Sequence, residues 1–150
     1  MERTKAQKIL GIFATIEFIF GIIFVLLAVL LVIGFGYASS VDANIAQELS
    51  SSISEAGIGL FKFIANAILV FIQWKALKDC SKDASKHHRA WTITLFVLAF
   101  EIMNFITNLG VGVPREFGTL VSSIIINCFI LYLTARVRIE AEENGTLKGE

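Results

Sequence analysis

Two glutamates, Glu17 and Glu101, each stand inside a long apolar run, where a carboxyl group can act as a proton carrier or an assembly contact. A carboxylate near the middle of a bilayer costs about 2.5–3.5 kcal/mol even on lenient insertion scales. Such a group faces a bundle interior, takes a proton or meets a partner. Other polar residues accompany them. Glu101, Asn104 and Asn108 are spaced three and four apart and share a helical face. Gly59, Lys62, Asn66 and Gln73 form a second stripe, Ser123, Asn127 and Thr134 a third. On the first apolar run, Glu17 lies among Ala14, Gly21 and Ala28, small residues that let helices approach closely.

The elements that must position these groups are legible from the apolar runs. The chain has 150 residues, 55% of them hydrophobic, and a mean hydropathy of +0.72. Ile9–Phe35, Ile58–Trp74 and Trp91–Val113 each hold one charge, and Gly118–Ala135 holds none. About 20 apolar residues cross a hydrocarbon core, and backbone satisfaction in lipid makes them helices. The expected fold is all-α: a bundle of four antiparallel transmembrane helices, at about 9–35, 56–76, 91–112 and 118–136, with a tail at 137–150. The first run is too long for the apolar core of a signal peptide.

Basic residues cluster before span 1, between spans 2 and 3, and after span 4. By the positive-inside rule both termini and the middle loop are cytoplasmic, and the expected location is the cell membrane. Cys80 and Cys128 then both avoid the oxidising side, so no disulfide is expected. In the outer loop, Val41, Ile45, Leu49 and Ile53 recur every four residues, which predicts a short amphipathic helix. Ser52 and Glu55 have capping-box spacing and mark the start of helix 2. Gly34 and Gly36 are expected to loosen the end of helix 1, and Pro114 lies in the turn between helices 3 and 4. Asn144-Gly145 is a helix-stop signal.

Counting from the cytoplasmic charges at 1.5 Å per residue places Glu17, Asn66, Glu101 and Asn127 at about 13–15 Å, near one common level. Three readings of this layer stay open: a hydrogen-bonded latch, a protonatable cation or proton site, and a contact with another membrane subunit. Lys62, about one turn outward of Asn66, either snorkels to the outer interface or pairs with Glu17 or Glu101.

Lys75, Lys78, Lys82, Lys86 and Arg89 follow helical spacing and are read as one cationic face, with Asp79 and Asp83 in reach as partners. That face is a solvated loop set by topology or a contact for anionic lipid headgroups. The adjacent membrane favours lipid over nucleic acid as the polyanion. Cys80, Asp83, His87 and His88 match no standard zinc spacing. No phosphate loop, nucleophile elbow or zinc-protease helix is present in the sequence, and no cofactor is expected. Four spans with an acid in the first resemble small multidrug-resistance transporters in hydropathy outline. The sequence that surrounds their glutamate is absent around Glu17, so no residue role is carried over. The expectation is a non-enzymatic accessory or self-assembling membrane subunit, with a membrane partner or further copies of itself. The alternative is a small proton- or cation-coupled transporter using Glu17 and Glu101.

Overall fold

The computed structural model describes residues 3–41, 64–109 and 117–145, and every regular element among them is helical. Helix α1 spans Lys5–Val41. Helix α2 covers 64–82 of the described residues. A short 3₁₀ turn, Ala84–Lys86, leads into α3, His87–Leu109. Helix α4 spans Phe117–Glu143. Three stretches are long and apolar enough to cross a membrane: Lys5–Gly34, Ala84–Ile106 and Leu120–Glu143. The expected amphipathic outer helix, the Ser52/Glu55 box, Lys62 and the Pro114 turn lie outside the described residues.

The helices outrun the apolar segments, and local chemistry explains the excess. Thr4 and Gln7 form a reciprocal cap: the Gln7 amide donates to Thr4 Oγ1 at 3.2 Å, and the Thr4 amide donates to Gln7 Oε1 at 3.0 Å. Helix α1 therefore starts four residues before Ile9. At its other end, Gly34 and Gly36 remain helical, contrary to the expected loosening. Helix α4 continues beyond its apolar run because Arg136–Glu140 and Arg138–Glu142 pair one turn apart, at 3.7 and 2.8 Å. It ends where the stop signal stands, with Gly145 in the left-handed region at φ +66.

The break between α2 and α3 corrects the expected single cationic helix. Asp83 has extended backbone, φ −136 and ψ 106. Its Oδ1 accepts from the Ser85 amide at 3.0 Å and the Ser85 hydroxyl at 2.7 Å. Lys86 and Arg89 thus belong to the next elements, off the α2 face that carries Lys75, Lys78 and Lys82.

The chain divides into two compact units. The first joins Met1–Ile16 to Ile72–Glu150. Its core gathers Leu10, Leu77, Ile130 and Val137, with Ala6, Ala14, Ala76 and Ala90 between them. Each large side chain contributes about 1.5–3 kcal/mol where its burial is from water. Where the surroundings are lipid, close packing over the alanines replaces that term. The second unit is Glu17–Phe71. Phe18 meets Phe71 edge-on at 6.3 Å, and Gly21 lies so close to the Phe71 ring that a Cβ there would come within 3.0 Å. Beyond them, Val25, Ala28, Ile33, Ile64 and Ala67 line an open apolar cleft of about 410 Å³. Leu30 and Ile33 remain more than 60% exposed, so α1 presents bare apolar surface along this stretch.

Candidate functional site: a polar network on three helices

Gln73 and Asn127 are the centre of the polar site in the first unit. Both are buried, at 1% and 5% exposure. Gln73 Nε2 donates to Asn127 Oδ1 at 2.7 Å. Asn127 Nδ2 donates to the Ser123 carbonyl at 3.1 Å, one turn back on α4. The Ser123 hydroxyl neighbours the half-buried carboxyl of Glu101 on α3. The Gln73–Asn127 bond ties α2 to α4, and Ser123 sets α4 beside Glu101 on α3.

These contacts set a register. Ser123 and Asn127 are four residues apart, so the Glu101 and Gln73 contacts lie about 6 Å apart along α4. Asn127 and Glu101 therefore occupy successive turns and not one plane. Asn104 is half-buried, three residues beyond Glu101 on α3. Glu17 and Asn66 are half-buried and belong to the second unit. Of the residues singled out from sequence, Glu101 and Asn127 enter one network. Gln73 and Ser123 complete it, and both were visible only as members of polar stripes.

Chemically the network is mostly a latch. The Asn127 amide has both ends occupied, which also fixes which end is oxygen. Among the described residues no cation pairs with Glu101. Its neighbour Ser123 carries a neutral hydroxyl, which can donate to a carboxylate or accept from a carboxylic acid. Thr94, fully buried on α3, has a hydroxyl with no hydrogen-bond partner among the described residues.

A second polar cluster holds the charged end of the first unit. The Ala6 amide donates to Glu140 Oε2 at 3.0 Å, so an α4 carboxylate caps the positive end of α1. Gln7 Nε2 donates to the Cys80 carbonyl at 3.3 Å. Burial, with the Asp83 charge second, pushes the Cys80 thiol up to about 12. Ser85 holds the Asp83 carboxyl below its usual range. His87 Nδ1 faces the Ala84 carbonyl at 3.0 Å. Among the described residues, no three histidine, cysteine or acidic side chains gather as metal ligands.

Lys75, Lys78, Lys82, Lys86 and Arg89 are all exposed. The expected pairing with Asp79 and Asp83 does not form; among the described residues none of the five makes an ion pair. Lys78 instead folds its ammonium over the Trp74 ring, 4.8 Å from the centroid. No protein-family model, curated protein or solved structure matches the chain.

Proposed function

We propose that this chain is a multi-pass protein of the cell membrane, with four antiparallel spanning helices and both termini cytoplasmic. It acts without catalysis, by association, as an accessory subunit or a self-assembling bundle. The observation that carries this reading is the bare apolar surface of α1, from Leu26 to Ile33. Lipid covers such surface, and so does a partner helix. The antiparallel order draws support from the pairing of Ala6 with Glu140 and of Phe13 with Phe129, which reverses chain direction between α1 and α4.

Gentle extraction from native membranes followed by mass spectrometry of what stays bound is the test. A stoichiometric partner, or a defined number of copies, is the expected result. A monomer that moves a solute or turns over a substrate alone would overturn the reading. The rival is a proton- or cation-coupled transporter using Glu17 and Glu101, and the half-buried position of both carboxyls within apolar helices favours it. It requires Glu17→Gln or Glu101→Gln to abolish flux in liposomes at unchanged expression.

A further inference from the structure

We infer that Lys75, Lys78 and Trp74 form a headgroup site for an anionic phospholipid on the cytoplasmic leaflet, and that Lys86 and Arg89 do not belong to it. The inference rests on the membrane reading above. The register fixes depth. From the Gln73–Asn127 bond, Lys78 and Tyr132 are each five residues further along their helices. From the Ser123–Glu101 contact, Tyr132 is nine residues one way and Trp91 ten the other. At 1.5 Å per residue Lys78, Tyr132 and Trp91 therefore fall within about 2 Å of one level. Tyr132 and Trp91 are both exposed aromatics, and exposed Trp and Tyr at a shared level mark the headgroup layer.

Lys75 then lies about 5 Å on the hydrocarbon side of that layer, and Lys82 about 6 Å on the water side. On the outer face of α2 exposed Ile72 is followed directly by exposed Lys75. The apolar-to-cationic switch thus occurs at the depth where lipid phosphates sit. Lys78 is folded back over Trp74, and Lys75 lies three residues before it on the same helix. Neither is neutralised by Asp79, and Asp83 is occupied by Ser85. Two ammonium groups with no ion-pair partner among the described residues, next to an indole at headgroup depth, complement one lipid phosphate. The break at Asp83 separates Lys86 and Arg89 from that face.

Trp74 makes the site directly readable. In a Trp91→Phe background it is the sole indole. Its quenching by brominated phosphatidylglycerol is compared with quenching by brominated phosphatidylcholine, in equimolar mixed vesicles with one lipid brominated at a time. Each cation near the surface is expected to favour the anionic lipid about five-fold, so the pair gives roughly twenty-five-fold at low salt. The double variant Lys75→Gln/Lys78→Gln should bring the ratio close to one, whereas Lys86→Gln/Arg89→Gln should leave most of it. Inorganic phosphate should compete no better than chloride at equal ionic strength. Equal quenching by the two lipids in the parent protein would overturn the site. So would a ratio lowered as much by Lys86→Gln/Arg89→Gln, or displacement by inorganic phosphate. Quenching by neither lipid would overturn the membrane reading itself.

Discussion

Replacing Asn127 by leucine, which has the same number of side-chain heavy atoms and the same branch point, deletes the acceptor of a buried donor. Gln73 Nε2 then loses its 2.7 Å bond while Gln73 stays 1% exposed. An orphaned buried polar group costs about 1–3 kcal/mol. Side-chain bonds between helices in membranes average about 0.6 and reach about 1.7 kcal/mol. The overlap predicts a loss of about 1–2 kcal/mol for Asn127→Leu. Gln73→Leu should cost less, because Asn127 keeps its bond to the Ser123 carbonyl and an under-used carbonyl is tolerated better than an orphaned N–H. In the double variant neither group is left waiting, so its cost should fall short of the summed single losses by about 1 kcal/mol. Reversible unfolding in mixed micelles, followed by helical circular dichroism, measures all three. Strict additivity, or a neutral Asn127→Leu, would refute the claim that this pair latches α2 to α4.

Thr94→Val removes a buried hydroxyl that has no hydrogen-bond partner among the described residues while keeping shape, and should stabilise by about 1 kcal/mol in the same assay. A destabilised variant would mean the hydroxyl is bonded. Thr4→Ala should cost about 1 kcal/mol by unmaking the reciprocal cap with Gln7. Glu140→Gln should weaken the Ala6 contact and the dipole term by about 0.3–1 kcal/mol. Hydrogen exchange at the first turn of α1 should rise in both, and unchanged protection would exclude either cap. Cys80 predicts an alkaline limit. Its folded value, about 12, lies above its ordinary 9.0, so the stability it contributes is complete below about 9 and fades as pH climbs towards 12. Cys80→Ala should flatten that decline; an unaltered profile would remove Cys80 as its cause. Asp83 has the opposite sign, because its folded value is depressed. Its contribution holds above its ordinary 3.8 and is lost only as pH falls through the lower folded value.

The apolar runs announced the helices because a bilayer demands about 20 apolar residues, and few other structures do. What they hid were the ends. The stretch from Arg136 to Glu143 reads as a charged tail, yet pairs one turn apart keep it helical. The Thr4–Gln7 cap was not anticipated, although a threonine followed three residues later by a glutamine carries its signature. The Ala6–Glu140 contact was not, since it joins residues 134 positions apart. Between Lys75 and Arg89 the cation spacing favoured one helix, and the competing signal was Asp83 two residues before Ser85, a pattern that turns the chain. The polar stripes named the participants Glu101, Asn127, Gln73 and Ser123. Which of them meet depends on register between helices, and no periodicity within one helix encodes that.

Whether the bare face of α1 meets protein is the most direct test of an association role. A photo-crosslinking residue at Leu30, 63% exposed, and a control at Leu10, fully buried, would be activated in native membranes. Leu30 is predicted to give a discrete protein adduct, either a second copy or one defined partner, and Leu10 only adducts within the chain. Lipid adducts alone from Leu30, repeated at Leu26 and Ile33, would contradict it.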